Sequence, residues 1–476
     1  MNALMQSARS ALLQCGLWRN DAVLLCALSG GCDSVALLHT LCRLQRETPF
    51  SLHAVHVQHG LRGEESLADE RFVRELCRSL KVPLTVENAG LTGDMHTPGM
   101  ETLARESRRR IFEKQLCTNR ADALLTAHHL DDQAETVLMH LLRGSGMTGL
   151  CGMQPAAPFG SGLILRPFLG LSKQQLRAAL TAENLPFRED GSNQEAVTPR
   201  NALRLAAMPQ LEALFPNACT HMAQTAEALS AEEAYISHHA DELYATIRYD
   251  EAPLFMLTLA PLNAAPEALR RRVLRRWYRE GLRAAGLQPD ERGLSHADTL
   301  ALSALCAQPP GSRLNLPCGL MAAREKAYLH LVHQSGEPLQ PAQAFSEAVQ
   351  PGRAGYALPH LTLKASAPHA LPHDAQSIIL SPEWLKKQPV LRMPQPEDVI
   401  RPFGAPGHKP LRRYLTDRKT DPFLRPVLPV LCVQQEVLWI PGLCASEMLR
   451  LESLPANALE LKISGHTPFI PKPPKE

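Results

Sequence analysis

Short apolar runs alternate with longer amphipathic patterns over the first third of the chain. The amphipathic stretches space their apolar residues as one face of a helix does, and they predict helices at residues 34–44, 66–80, 101–116 and 131–142. The apolar runs between them predict strands at residues 22–28, 52–57, 83–87 and 123–126. This alternation is typical of an α/β domain with a mostly parallel sheet, which binds ligands at the carboxyl ends of its strands.

The remaining chain changes character several times. Ser172 caps a predicted helix at 173–183, a long helical pattern covers 217–248, and residues 253–332 predict a small, mainly helical unit. Residues 334–373 are Pro-rich and poorly periodic, whereas 390–468 mix basic residues with strand-like runs. We therefore predict a catalytic domain at 1–216, a helical domain with its connecting helix at 217–333, a linker or irregular segment at 334–385 and a small mixed α/β domain at 386–470.

Composition narrows the class of protein. A chain of 476 residues exceeds what one hydrophobic core usually serves, and its 45% apolar and 21% charged residues are ordinary for a globular protein. No run approaches the ~20 apolar residues of a membrane span. The 12 cysteines include no C-x-x-C pair, which indicates reduced thiols and a cytoplasmic location. Because the net charge is only +2, any nucleic-acid binding must come from local basic patches.

A serine- and glycine-rich loop follows the first predicted strand and opens a helix. Its residues are Ser29, Gly30, Gly31, Cys32, Asp33 and Ser34. Adjacent glycines let the backbone approach an anion, and a helix start offers free N–H groups and partial positive charge. Asp33 could hold Mg²⁺ on bound phosphates. The alternative is an ordinary capped turn, but the position after a buried strand favours phosphate binding.

The S-G-G-x-D-S loop is similar to that of the PP-loop ATPases, the N-type ATP pyrophosphatase superfamily with the adenine nucleotide α-hydrolase-like fold. The resemblance implies that ATP is split between its α- and β-phosphates and that the loop grips the departing pyrophosphate. A second glycine motif, at residues 144–149, matches G-x-G-x-x-G but follows a helical pattern, so it does not predict dinucleotide binding.

Further motifs occur in order along the chain. They are VHVQHGLRG at 55–63, ETLAR at 101–105, AHHLDDQAET at 127–136, and DGSN at 190–193 followed by RNALR at 200–204. Together they resemble the tRNA(Ile)-lysidine synthetase family, and the resemblance reaches the C-terminal unit at 404–411, 417–429 and 439–443. It implies ATP-dependent ligation of L-lysine to C2 of the wobble cytidine of the CAU-anticodon tRNA(Ile), through an adenylated cytidine. It also allows a homodimer and gives no reason to expect a membrane.

Four residues of the fourth motif share one face of the predicted helix. His128, Asp131, Asp132 and Glu135 stand at positions i, i+3, i+4 and i+7. Crowded carboxylates repel one another unless a cation joins them, and magnesium, a transition metal or the ammonium of lysine would serve. Acidic residues that complement the helix dipole are the plain alternative. The resemblance favours lysine recognition and help with deprotonation of the amine.

Two arginines are candidates for stabilising phosphate charge during adenylation. Arg105 and Arg200 lie inside the motifs, which ranks them above Arg108, Arg109 and Arg204. The catalytic set is therefore predicted to be Asp33, Arg105, Asp132 and Arg200. His56 and His59 could contact nucleotide, although histidines at strand ends are usually only packed.

Basic residues cluster at two places beyond the motifs. The first cluster is Arg272, Arg275, Arg276, Arg279 and Arg283 on one helix face; the second is Lys409, Arg412, Arg413, Arg418, Lys419 and Arg425. Each could neutralise RNA phosphates or be a solvated surface, and the resemblance implies that they bind tRNA. A PP-loop tRNA thiolase and a non-catalytic tRNA-binding protein are the rival functions. Missing C-x-x-C pairs weigh against the first, and the intact loop weighs against the second.

Overall fold

A computed structural model describes residues 1–58, 64–90, 99–189, 198–250, 252–288, 293–341, 345–358 and 361–464. Two compact units make up the chain, Met1–Tyr235 and Ile236–Glu476. Among the described residues, no helix has the length and apolar character that would let it cross a membrane.

The first unit is built on a six-stranded sheet. Its strands are β1 Val23–Ala27, β2 Ser51–Gln58, β3 Leu84–Asn88, β4 Ala123–Leu125, β5 Ala156–Phe159 and β6 Gly162–Leu165. They are ordered β3-β2-β1-β4-β6-β5, and every neighbouring pair is parallel except β5 with β6. The α/β prediction and its four strands are confirmed.

Helices accompany this sheet in the first unit, and the last of them continues into the second unit. They are α1 Asn2–Gln14, α2 Cys32–Leu44, α3 Glu64–Leu80, α4 Met100–Thr118, α5 Leu130–Leu142, α6 Met147–Leu150, α7 Lys173–Thr181, α8 Pro199–Ala202, α9 Met208–Leu214 and α10 Ala218–Ile247. Leu24 and Leu25 of β1 are both fully buried, since one faces a core formed with α1, α2 and α7 and the other faces α4. Burial on both faces explains the unbroken apolar run of β1.

The second unit begins with an antiparallel sheet and three helices. The strands are β7 Arg248–Tyr249, β8 Met256–Thr258, β9 Arg313–Leu316, β10 Leu320–Arg324 and β11 Tyr328–His333, ordered β7-β8-β11-β10-β9. The helices are α11 Leu259–Ala264, α12 Glu267–Ala284 and α13 His296–Leu305. The pattern predicted the helices, whereas the sheet was not anticipated because its strands are only two to six residues long.

Two further sheets complete the second unit. Their strands are β12 Ser346–Ala348, β13 Gly355–Leu358, β14 Leu361–Ser366, β15 Ser377–Leu380, β16 Val390–Arg392, β17 Val399–Ile400, β18 Lys409–Pro410, β19 Val430–Val433, β20 Glu436–Ile440, β21 Cys444–Ala445 and β22 Leu459–Ile463. Helices α14 Pro382–Lys386 and α15 Leu411–Asp417 accompany them. One sheet runs β12-β16-β19-β20-β17-β18, with β21 paired to β20, and the other runs β13-β14-β22-β15.

This arrangement corrects the expected linker or irregular segment at 334–385. Strands β12 to β15 fall within it, and β14 and β15 both pair with β22 near the end of the described chain. Their partners are distant in sequence, and local periodicity carries little information about such short strands. The proposed domain boundaries themselves stay predictions.

Candidate functional site

The candidate site lies where the strand order of the first sheet reverses direction. β1 pairs with β2 on one side and with β4 on the other, in parallel on both. The segments that leave the carboxyl ends of β1 and β4 therefore flank one crevice, which is where open α/β sheets bind ligands. The first of these segments is the S-G-G-x-D-S loop, and the second leads into α5.

Hydrogen bonds to Ser34 close the loop into a tight turn. The backbone N–H groups of Ser29 and Gly30 both donate to Ser34 Oγ at 3.2 Å, and that hydroxyl donates to the Gly31 carbonyl at 3.0 Å. Gly30 has φ +94°, and a Cβ there would lie 3.3 Å from Val73 Cγ2. Gly31 then caps α2 with extended backbone, so the first N–H groups of the helix face the crevice end of β1. The turn has the features that the phosphate-binding prediction requires.

Asp33, in the first turn of α2, has a half-satisfied carboxylate. Its Oδ2 lies 3.6 Å from His129 Nε2, whereas its Oδ1 is buried without a hydrogen-bond partner among the described residues. Burial raises the pKa of Asp33, although the charge of His129 acts in the opposite direction. A buried carboxylate oxygen with no partner fits a divalent cation, so Asp33 fits the expected Mg²⁺.

The start of α5 differs from the prediction. The helix begins at Leu130 with His129 as its N-cap, so His128 precedes the helix and does not share the face of the three carboxylates. The His128 ring instead lies 2.9 Å from Thr126 Oγ1, and burial lowers its pKa to about 4. The error arose because the first residues of the motif were assumed to be helical, while the backbone turns at the cap.

His129, the N-cap residue of α5, contacts both aspartates at the start of the helix. Its Nδ1 lies 3.3 Å from Asp131 Oδ2, and its Nε2 lies 3.3 Å from Asp132 Oδ2. Burial opposes protonation of the ring, but the hydrogen bond to Asp131 and the nearby charges of Asp132 and Asp33 raise its pKa overall. This buried imidazole connects the phosphate loop with the acidic end of α5.

The carboxylates themselves are held by protein groups. Asp131 accepts a 2.8 Å hydrogen bond from the backbone N–H of Lys173, at the start of α7. Glu135 is only 2% exposed. Its Oε1 accepts a 2.6 Å hydrogen bond from Arg204 Nε, and its Oε2 accepts one of 2.8 Å from Arg200 Nε. Asp132 Oδ1 lies 2.9 Å from Arg204 Nη2 and 3.2 Å from Arg200 Nη2.

This arrangement corrects the argument that the crowded acids need an external cation. Two guanidinium groups already neutralise Asp132 and Glu135. In the part of the chain that the structure describes, no group of three or more His, Cys, Asp or Glu side chains is arranged to hold a metal ion.

Both arginines come from a short irregular helix. Thr198 caps α8 by accepting a 3.2 Å hydrogen bond from the Asn201 N–H, and Pro199 occupies the first turn. The chain then widens into a π-helical turn, Leu203–Ala207, which contains Arg204. Pro209, just beyond, has no N–H and crowds the carbonyl four residues earlier, which gives a physical reason for the wider turn.

Arg105 lies on an exposed part of α4, in a positive cluster. Burial lowers the pKa values of Arg108 and Arg166, and the charge of Arg105 lowers them further. Arg166 in turn is one of the charges that act on His128. Through Arg166, the cluster therefore lies within electrostatic range of His128, in the segment after β4.

Several candidates are placed elsewhere or cannot be placed. His56 is buried, with Nδ1 2.8 Å from the Leu28 carbonyl, so it holds the ends of β1 and β2 together. His59, residues 60–63 and residues 190–193 lie outside the described residues. The sequence analysis ranked Arg204 below Arg200 and did not single out His129, although the structure places both at the acidic start of α5. The four-residue spacing of Arg204 from Arg200 and the position of His129 next to His128 were the available signals.

The two basic surfaces differ in how far their charges are already paired. On α12, Val273 and Trp277 are buried, whereas Arg276 pairs with Asp241 and Glu280 and lies over the Tyr244 ring. On α15, Arg412 and Arg413 are exposed, while Lys409 of β18 pairs with Asp417. Among the α12 residues, Arg279 is exposed, and Arg272 and Arg275 are half-buried. Arg276 is thus already paired with two carboxylates.

Comparison with known proteins agrees with this geometry. A family model described as a PP-loop domain matches residues 4–211, and one described as the TilS substrate C-terminal domain matches residues 390–454. The tRNA(Ile)-lysidine synthase of Symbiobacterium thermophilum is 32% identical over 473 residues, which are 97% of this chain and 98% of that protein. The synthase of Geobacter sulfurreducens is 30% identical, with 98% of both chains covered. That of Bacillus subtilis is 28% identical, with 92% of this chain and 93% of the other covered. Similarity at this level along both chains shows that the protein belongs to the tRNA(Ile)-lysidine synthase family, whose members carry a PP-loop ATP-binding domain.

Proposed function

We propose that this protein ligates L-lysine to C2 of the wobble cytidine in the CAU-anticodon tRNA(Ile), with ATP as co-substrate. The product is lysidine, and the tRNA changes from methionine to isoleucine identity. The observation that carries the proposal is the convergence of the S-G-G-x-D-S loop and the acidic start of α5 on the buried ring of His129. One crevice thereby offers a phosphate site beside groups that suit an amine.

The first half-reaction is adenylation of the base. The cytidine O2 attacks the α-phosphate of ATP, an O–P bond forms, the bond to the β-phosphate breaks, and pyrophosphate leaves. The loop formed by Ser29, Gly30, Gly31, Cys32, Asp33 and Ser34 binds the phosphates, and Arg105 and Arg200 stabilise the charge that develops on them. Mg²⁺ held by Asp33 would add positive charge at the phosphates.

The second half-reaction consumes lysine. The ε-amine attacks C2, the C2–O bond breaks, and AMP leaves with the oxygen while the amine loses a proton. Asp132, with Asp131, Glu135 and His128, recognises the lysine amine and helps its deprotonation. Because burial lowers the pKa of His128 to about 4, its ring is neutral near pH 7 and can accept a hydrogen bond from the ammonium.

tRNA binding is assigned to the second unit. Arg272, Arg275, Arg276, Arg279, Lys409, Arg412 and Arg413 supply the positive charge, and the exposed members are the best placed to contact phosphates. All 12 cysteines are free thiols, which supports a cytoplasmic location. A homodimer, which the resemblance allows, stays a prediction.

The decisive experiment is incorporation of radiolabelled lysine into an unmodified tRNA(Ile) transcript with a CAU anticodon. We expect labelling only with ATP, and none when the wobble cytidine is replaced by uridine. ATP cleavage to AMP and pyrophosphate without labelling would refute lysine as the nucleophile and keep the adenylation chemistry. Absence of both reactions would refute the enzyme assignment.

A further inference from the structure

Arg204 contacts the acidic pair more extensively than Arg200 does. Its Nε lies 2.6 Å from Glu135 Oε1, and its Nη2 lies 2.9 Å from both Glu135 Oε2 and Asp132 Oδ1. Arg200 donates to Glu135 at 2.8 Å and to Asp132 at 3.2 Å. Asp132 Oδ2 is turned the other way, towards His129.

These hydrogen bonds leave no place for another cation at the acidic pair. Two carboxylates face two guanidinium groups, so the formal charge of the four side chains is zero. Three of the four carboxylate oxygens accept from arginine, and Glu135 is only 2% exposed. An incoming ε-ammonium would have to share these oxygens with two guanidinium groups, so it can bind Glu135 and Asp132 Oδ1 only where a guanidinium leaves.

Arg204 also lies close to the phosphate loop. It contacts Asp132, whose Oδ2 lies 3.3 Å from His129 Nε2, and that nitrogen lies 3.6 Å from Asp33 Oδ2. Burial works against the charge of its side chain, but Glu135, Asp132 and Asp33 together raise its pKa. The effect of Asp33 is reciprocal, because the charge of Arg204 acts on the pKa of Asp33 as well. A polyphosphate at the loop would therefore compete with Glu135 for the guanidinium, and phosphate is a strong bidentate partner of arginine.

The backbone that carries Arg204 can accommodate such a move. Arg204 lies in the π-helical turn Leu203–Ala207, between α8 and α9. Single π turns are strained insertions in a helix and are frequent at functional sites. Because Pro209 holds this turn wide, Arg204 would move by rotation of its own side-chain bonds, while α8 and α9 keep their backbone.

We propose that Arg204 is a positioning residue that occupies the Asp132–Glu135 pair in the free protein and releases it to the lysine amine when ATP binds at the loop. Lysine then binds productively only after the nucleotide. This inference rests on the proposed function and adds to it the order in which the substrates bind.

The test is calorimetric titration of L-lysine into the full chain, alone and with saturating α,β-methylene ATP and Mg²⁺. We expect the nucleotide analogue to tighten lysine binding by about tenfold or more in the wild type. Arg204→Gln, which keeps hydrogen-bonding capacity without the charge, should bind lysine about tenfold more tightly than the wild type when no nucleotide is present, and should respond to the analogue less than threefold. Arg204→Lys keeps a cation and should retain the nucleotide dependence.

Two controls separate this effect from general damage. Arg74→Gln removes an exposed arginine of α3, paired only within its helix to Glu70, and should behave as the wild type. L-norleucine, which lacks the ε-amine, should show no response to the analogue or to Arg204→Gln.

The outcomes distinguish this inference from the proposed function. Equal lysine affinity with and without nucleotide in a wild type that still incorporates lysine would overturn the inference alone. The inference would also be overturned if, without nucleotide, Arg204→Gln bound lysine more weakly than the wild type does while its unfolding temperature was unchanged. If Arg204→Gln does not fold, the wild type alone tests the inference. The analogue must then tighten the binding of L-lysine and leave the binding of L-norleucine unchanged. A wild type that never incorporates lysine overturns the proposed function and this inference together.

Discussion

Asp33 and His129 face each other across the crevice at the carboxyl ends of β1 and β4, with 3.6 Å between Oδ2 and Nε2. Asp33 Oδ1, on the other side of the same carboxylate, is buried without a hydrogen-bond partner among the described residues. A buried carboxylate oxygen without a partner, beside a phosphate-binding turn, suits the Mg²⁺ that we propose there. The charge of Asp33 should then matter far more for ATP chemistry than for folding.

Asp33→Asn is therefore expected to reduce pyrophosphate release at least ~100-fold, since the amide keeps the size of the side chain but binds Mg²⁺ poorly. The measurement is pyrophosphate release with ATP, Mg²⁺ and the tRNA transcript. Filter retention of labelled tRNA should be unchanged, because tRNA binding is assigned to the second unit. Normal pyrophosphate release would contradict the role of Asp33.

Gly30→Ala should abolish nucleotide binding. Gly30 has φ +94°, and the added Cβ would lie 3.3 Å from Val73 Cγ2. We expect a loss of about 1–3 kcal/mol in stability, together with loss of binding of a fluorescent ATP analogue. Gly144→Ala is the matched control, since Gly144 has φ +72° and open space around it. It should cost about 1 kcal/mol from backbone strain and leave nucleotide binding intact. If Gly30→Ala and Gly144→Ala weakened nucleotide binding equally, the assignment of phosphate binding to the first glycine motif and not to the second would be wrong.

His128 should make the first unit less stable in mild acid. Burial lowers its pKa to about 4 in the folded protein, against an ordinary value of 6.5. The unfolded chain therefore binds more protons between these values, so the stability is fully present above about pH 6.5 and is lost as the pH falls towards 4. His128→Gln should flatten the unfolding temperature over this range. An unchanged pH dependence in the variant would show that other groups cause it.

Glu135→Gln should destabilise the first unit. Its carboxylate is 2% exposed and balances Arg200 and Arg204, whose side chains are 30% and 26% exposed. Removing one partner of a buried ion pair costs several kcal/mol, and the partial exposure of the arginines reduces the expected loss to about 2–3 kcal/mol. Chemical denaturation followed by circular dichroism gives the measurement. Glu106→Gln removes the carboxylate of an exposed pair with Arg110 and should stay within ~0.5 kcal/mol of the wild type. If both variants lose the same stability, the buried network is not what stabilises this region.

Replacing Arg412 and Arg413 by glutamine should weaken tRNA binding and its salt dependence together. Both side chains are exposed on α15. Removing one arginine that binds a phosphate should lower the slope of log affinity against log salt concentration by about 0.9, so the slope of the double variant should fall by up to about 1.8. Arg450→Gln removes an arginine that is 64% exposed and paired with Glu447, outside both basic surfaces, and should leave the slope unchanged. An equal change in both proteins would point to a general effect of net charge.

Local patterns predicted the first unit well because its strands, helix caps and loop each depend on residues that are close together in the sequence. The run at 22–28 is apolar at every position because β1 is buried on both faces, and Ser172 was a recognisable cap since its hydroxyl accepts from the Gln175 N–H at 3.3 Å. The order of motifs likewise placed the loop and the acidic residues at strand ends. Strands β12 to β15 could not be predicted in this way, since they are short and their partners are remote.

The sequence by itself determined the α/β fold of the first unit, the phosphate loop with Gly30 and Asp33, and the family. These follow from runs, spacings and turn residues that act over a few positions. The tertiary structure decided which charges meet: Arg204 with Glu135 across 69 residues, and Asp33 with His129 across the crevice. A side chain in the sequence carries its charge but not its partner, because the partner is chosen by how separate elements pack.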